Sequence, residues 1–263
     1  MVSALYEGTF SVGLDKKFIR IDRNNSPNKG ALKLSINPFL IRYGERVMLF
    51  DTGLGEFGED TSLETITAHL ETYQLTPFDI TDVFLSHLHY DHLGGLAGTK
   101  NGYLELTFPE AKLWANKKEW EKMKRLNGAT DNEARREFFY FIDARADIQM
   151  IEGSSEPYPE IKIEEVGGHT EFSQVLFFET DQNRYMMAGD IIGRKVAVQQ
   201  KFTAKFDFNP ERSLEVREEL KKRACEENYI IMAYHESHTP LFRITEYDSK
   251  KGYVTEAVEN ASP

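Results

Sequence analysis

Four side chains able to hold a metal ion fall close together in the run Ser86-His87-Leu88-His89-Tyr90-Asp91-His92-Leu93-Gly94-Gly95: His87, His89, Asp91 and His92. Imidazole and carboxylate donors in combination suit zinc, manganese or ferrous iron, whereas all-oxygen sites favour magnesium or calcium. Any one of these histidines alone would read as an ordinary hydrogen-bonded residue; their density has few purely structural explanations. The apolar Val83-Phe84-Leu85 ahead of them reads as a buried strand, so the ligands fall where strand gives way to loop. In extended backbone alternate side chains share a face, which lets His87, His89 and Asp91 point one way while His92 points elsewhere. One cluster can therefore feed two neighbouring ions.

This order, His-x-His-x-Asp-His followed by Gly-Gly, resembles the signature of the metallo-β-lactamase superfamily. The resemblance implies three more ligands, each at a strand end. His169 lies in Gly167-Gly168-His169-Thr170, after the strand-like residues 161–166. Asp190 closes Met186-Met187-Ala188-Gly189-Asp190 and stands where the family places its metal-bridging carboxylate. His235 follows the apolar Ile230-Ile231-Met232-Ala233-Tyr234. On that pattern His87, His89 and His169 hold one ion, Asp91, His92 and His235 hold the other, and Asp190 touches both. Two dications about 3.5–4 Å apart hold a hydroxide between them and polarise a scissile carbonyl or phosphoryl oxygen. That is a hydrolase in outline, with Asp91 as the residue that positions the attacking oxygen and takes its proton. His238 offers a second imidazole beside His235; the strand-end position favours His235 as ligand and leaves His238 to the substrate side.

The elements that must position these groups are legible around them. Phe39 to Tyr43, a turn at Gly44-Glu45, and Arg46 to Phe50 read as a β-hairpin that delivers Asp51-Thr52-Gly53. The Asp-Thr-Gly resembles the family's other characteristic element, and Asp51 is expected to orient a ligand histidine through its free ring nitrogen. A plain turn after the strand is the simpler alternative. Residues 62–73 read as a helix with Leu63, Ile66, Leu70 and Tyr73 on one face, stopped before Pro77. His69, within it, has no ligand-like neighbours. A further helix opens at Asn209-Pro210. The resemblance implies an α/β, four-layer αββα sandwich: two mixed sheets flanked by helices, formed by residues 1–263 as one domain with a helical insertion around 115–145. No linker divides the ligands from one another.

Substrate contacts are less constrained. Within the insertion, Asn116 with Glu119 resembles a capping pair for a helix carrying Trp120 and Met123. The aromatic run 138–141 reads as core, with a lid beside the metals as the alternative. After Asp190, Phe202, Phe206 and Phe208 are spaced by two, which suggests partial strand character or cover for the sheet. Phe206 is a candidate for substrate contact; Lys205 reads as solvated. In lactonases acting on acyl-homoserine lactones, which this chain resembles in its His-Leu-His-x-Asp-His loop, a tyrosine commonly lies three residues beyond the bridging aspartate. Gly193 stands there instead, with Tyr90 or Tyr234 as the phenols left to replace it.

Composition bounds the reading. A formal charge of −11 argues against nucleic acid and anionic polymers as partners, since phosphate contacts need clustered Lys and Arg. No run of eighteen apolar residues suggests a membrane span, and the first residues lack a signal-peptide pattern, so a cytoplasmic protein is expected. The single cysteine, Cys225, excludes an intrachain disulfide and reads as helix packing. The expected function is hydrolysis of a small ester, lactone or related acyl compound with two divalent ions, zinc foremost and manganese or ferrous iron as alternatives. Organophosphate or phosphoester hydrolysis with the same ions is the second reading, and a non-catalytic metal- or ligand-binding protein the third. Homo-oligomerisation is left open.

Overall fold

The computed structural model describes residues 1–204, 207–250 and 252–260. Alternation along the strands decides the layering. In the paired strands Phe39–Tyr43 and Arg46–Phe50, Phe39, Ile41, Met48 and Phe50 turn to one face and Leu40 and Leu49 to the other. The first set joins Phe84, Ile163, Leu176, Phe178, Met187, Ile230 and Met232 in a core between two sheets. The second packs with Ile66, Leu70, Trp120, Phe138 and Phe139 beneath helices. A strand buried on both faces must be apolar at nearly every position, which is why these runs lack a polar side.

Six strands form the first sheet, in the order Val2–Ala4, Phe39–Tyr43, Arg46–Phe50, Asp82–Phe84, Lys112–Asn116 and Asp147–Ile151; the first three run antiparallel and the last four parallel. Seven strands form the second: Ser155–Tyr158, Ile161–Glu165, Gln174–Glu179, Arg184–Met187, Tyr229–Met232, Leu241–Asp248 and Gly252–Ala257. They are antiparallel apart from the parallel pair Arg184–Met187 and Tyr229–Met232. Helices Leu63–Thr72, Lys117–Gly128 and Glu133–Arg145 cover the first sheet. Helix Pro210–Glu226 covers the second, setting Val216, Leu220 and Ala224 against Val175, Phe177, Met186 and Ile231. The layers are therefore αββα with two mixed sheets. Two smaller sheets lie outside the sandwich: Phe18–Ile21, Gly8–Val12 and Leu32–Ile36, and the hairpin Ala97–Lys100 with Tyr103–Leu106.

Three helices begin on the same device: the Asn116, Asn132 and Asn209 side chains accept the backbone N–H of Glu119, Arg135 and Arg212. The partial strand suggested over 202–208 does not form among the described residues there. Phe202 is 65% and Phe208 58% exposed, so their spacing marks no buried face. Phe206 and Lys205 lie outside the described residues.

Candidate active site

All the ligand candidates follow the C-terminal ends of strands: His87 to His92 after Asp82–Phe84, His169 after Ile161–Glu165, Asp190 after Arg184–Met187 and His235 after Tyr229–Met232. Both sheets thus deliver donors to one place. Asp51 ends the neighbouring strand with φ 56°, a left-handed conformation that a short polar side chain tolerates. That turn aims its carboxylate at the ligand run. Oδ1 accepts the Ser86 N–H at 2.7 Å, and Oδ2 accepts the Ser86 hydroxyl at 2.7 Å and the His92 Nδ1–H at 2.6 Å. The Gly94-Gly95 pair permits the close approach of the two loops, for a Cβ on Gly95 would overlap the Thr52 carbonyl oxygen.

The hydrogen bonds on the outer side of each ring decide what faces inward. Ser86 Oγ, having donated to Asp51, is left to accept from His87 Nδ1 at 3.1 Å; His169 Nδ1 donates to Asp207 at 2.9 Å; His235 Nδ1 donates to the Ser35 carbonyl at 2.9 Å. With Nδ1 protonated, each Nε2 presents a lone pair to the cluster. His87 Nε2 and His169 Nε2 lie 3.0 and 3.1 Å from His89 Nδ1. His92 Nε2 and His235 Nε2 lie 3.1 and 2.9 Å from Asp190 Oδ1, while Asp190 Oδ2 is 3.1 Å from His169 Nε2. Asp91 Oδ2 completes the second group at 3.7 Å from His92 Nε2 and 3.6 Å from His235 Nε2.

Acceptors facing acceptors at such distances repel unless a proton or a cation lies between them. Despite their closeness, His92 Nε2, His235 Nε2 and Asp190 Oδ1 are buried and make no well-aimed hydrogen bond. Three groups bring their donor atoms within 4.8 Å of one another: His87, His89 and His169; His87, His92 and Asp190; Asp91, His92 and His235. The donor set therefore fits divalent metal. Electrostatics agree. Burial, then the neighbouring imidazoles, hold His87 and His89 well below the ordinary histidine range, in the neutral form that ligates. Burial would also lower His92, but Asp51 and Asp91 outweigh it and raise this group well above its usual range. For His169, Asp190 and Asp207 likewise overcome burial. The field that attracts a proton there would attract a metal ion. Asp190 is 19% exposed and His89 partly so, so the cluster opens to solvent on their side.

Other candidates are placed elsewhere. Tyr234 is fully buried, stacks on the His92 ring at 4.1 Å and donates to the Asp91 carbonyl at 2.7 Å, so its phenol backs the ligand run. Tyr90 turns into the helical layer, against Phe57 and Phe138, and donates to Asn127 Oδ1 at 3.0 Å. His238 is exposed, belongs to none of the three groups, and its N–H bonds to Glu236 Oε1 at 3.2 Å. Gly193 packs directly on the His235 ring, where a Cβ would stand 3.1 Å from Cδ2, and its carbonyl accepts the His235 N–H at 2.7 Å. Sequence reasoning missed Asp207, the partner of His169. Its only local signal is an acid just before a helix start, which ordinarily reads as a favourable charge at the dipole.

Fold and cluster together define a hydrolytic metalloenzyme. The chain belongs to the metallo-β-lactamase superfamily, whose family model matches residues 32–232. Among solved structures it is similar to a probable metal-dependent hydrolase from Staphylococcus aureus, at 21% identity over 99% of this chain and 98% of that one, with a TM-score of 0.77. It is also similar to AidC, a dizinc quorum-quenching lactonase in complex with a homoserine product, at 19% identity over 98% and 94% of the two chains and a TM-score of 0.76. The hydrolase AbOPH, of the β-lactamase superfamily, matches at 19% identity over 99% and 95%, with a TM-score of 0.76. At these identities the likeness is one of fold. No curated protein matches the chain.

Proposed function

We propose that this protein hydrolyses a small, largely uncharged ester, lactone or related acyl compound with two divalent metal ions, zinc foremost. The observation that carries this reading is the orientation of Asp190. Its Oδ1 faces His92 and His235 while its Oδ2 faces His169, so one carboxylate joins two groups of imidazoles. His87, His89 and His169 would hold one ion; Asp91, His92 and His235 the other; Asp190 both. Ions bound there supply an acidified water and a Lewis acid for the carbonyl oxygen.

The chain's own groups do the rest. Asp51, Asp207 and the Ser35 carbonyl fix the ring tautomers that turn Nε2 inward. Asp91, its Oδ2 beside both His92 and His235, orients the attacking water and takes its proton. The net charge of −11 favours an uncharged substrate over a polyanion. Similarity to AidC supports a lactone as the first substrate class to test.

A panel of aryl esters, lactones and phosphotriesters, assayed with zinc- and manganese-loaded protein, tests this reading. Esters or lactones should turn over with kcat/KM at least about tenfold above phosphotriesters, a barrier difference of about 1.4 kcal/mol. Turnover of phosphotriesters alone would move the assignment to phosphoester chemistry. Full metal loading without turnover of any class would point to a binding protein.

A further inference from the structure

Helix Lys117–Gly128 begins with a cap that is left half made. Asn116 Oδ1 accepts the Glu119 N–H at 3.1 Å, as the sequence suggests. In a reciprocal cap the Glu119 carboxylate would return to the Asn116 N–H. Instead Glu119 Oε2 accepts the Phe172 N–H at 3.2 Å, and the Thr170 side chain provides a further hydrogen bond. Thr170 is the residue directly after His169.

Glu119 is 5% exposed, and burial raises its carboxyl above the usual range against the pull of Thr170 and Lys122. No basic nitrogen lies within ion-pair distance of it among the described residues; Lys122 pairs with Glu171 at 3.1 Å. A buried carboxylate without a paired cation is costly, and starting a helix does not require one. The same turn grips the loop that carries His169 at both ends. Asn116 Nδ2 and Lys118 Nζ reach Glu165 at 2.8 and 3.0 Å on the incoming side, and Lys122 reaches Glu171 on the outgoing side. The opposite flank hangs from the second helix start: Asp207 holds His169 Nδ1, and the N–H groups of Phe208 and Asn209 hold the carbonyls of His169 and Gly168.

We propose that Glu119 is a positioning residue for the metal centre: it anchors residues 170–172 so that His169 Nε2 stays opposite His89 Nδ1, and it thereby couples the helical layer to the group His87, His89 and His169. The inference rests on the proposed role of His169 as a ligand. Glu119 acts through His169 and touches neither substrate nor ion. Losing its carboxylate leaves the Phe172 N–H without its acceptor and frees one side of the loop.

The test uses Co2+ as a spectroscopic stand-in, comparing wild type with Glu119→Ala, Glu119→Asp and Glu119→Gln. Cobalt affinity, stoichiometry and visible ligand-field spectrum are measured beside thermal stability. Glu119→Ala and Glu119→Asp should weaken binding at one of the two sites by about 10- to 100-fold and alter its spectrum. Glu119→Gln, which keeps an oxygen acceptor at the same reach, should restore most of both. Glu119→Asp preserves charge and most of the buried volume, so it decides the matter should the alanine variant not fold. Wild-type cobalt affinity and an unchanged spectrum in these variants, even with lowered melting temperature, would reduce Glu119 to a structural residue and overturn the proposal. A wild-type spectrum that does not respond to His169→Ala would instead overturn the ligand assignment beneath it.

Discussion

His92 Nδ1 and Asp51 Oδ2 lie 2.6 Å apart with both side chains wholly buried, tying the end of one strand to a proposed ligand that follows the next. Asp51 also takes both hydrogen bonds offered by Ser86, so one carboxylate fixes the start and the end of the ligand run. Asp51→Ala should therefore lower metal affinity by about 10- to 100-fold, and leave buried donors unpaired at about 1–3 kcal/mol each. Competition with a chromophoric chelator and denaturant unfolding measure the two effects. Wild-type affinity in this variant would show that His92 does not depend on Asp51.

Asp207 holds His169 in the same manner, with Oδ1 2.9 Å from Nδ1. Asp207→Ala should weaken metal binding about 10- to 100-fold, while Asp207→Asn, which keeps the acceptor, should weaken it less. Equal losses in both variants would mean that charge, and not orientation, is what Asp207 provides.

The contrast between Asp51 and Asp207 shows what a sequence can disclose. His87 to His92 stand together in the chain, and His169, Asp190 and His235 each follow an apolar strand, so strand ends converge on one edge and local pattern finds them. Asp51 stands in Asp51-Thr52-Gly53 after an apolar strand, whereas Asp207 carries no such pattern, and only the path of helix Pro210–Glu226 over the second sheet brings it to His169. Tyr234 misleads for a related reason. It continues the alternation of Ile230 and Met232 into the inter-sheet core, so its phenol is buried behind His92 and Asp91 and not displayed. The Asn116-Glu119 pair is half legible: the cap forms, and the carboxylate's tertiary partner is invisible locally.

Glu7 supplies a pH test at a carboxyl outside the proposed ligand set. Burial, with Asp91 adding to it, pushes its carboxyl up from the ordinary 4.5 to about 7, opposed by the N–H groups of Leu54 and Gly55 and by Arg20. A folded-state value above the unfolded one means that the folded protein binds this proton more tightly. The associated stability is complete below pH 4.5 and lost as pH rises through about 7. With equal metal loading, Glu7→Gln should gain about 3 kcal/mol on wild type across that window, read by denaturant unfolding. A pH-independent offset between the two proteins would contradict the shift.

Cys225 is partly buried against the Val175, Phe177 and Tyr229 side of the second sheet, on the helix that covers it. Cys225→Ala should lower stability by about 1 kcal/mol and leave metal content and turnover as in wild type. Loss of metal in this variant would introduce a ligand that the geometry does not include.

Metal content per chain decides whether Asp190 joins two metal ions. Inductively coupled plasma mass spectrometry on tag-free protein purified without chelators should find about two equivalents of zinc, manganese or iron in wild type. Asp190→Ala should lose metal and activity together. Two retained equivalents in that variant, or less than one in wild type that added metal does not raise, would rule out Asp190 as the bridge between two ions.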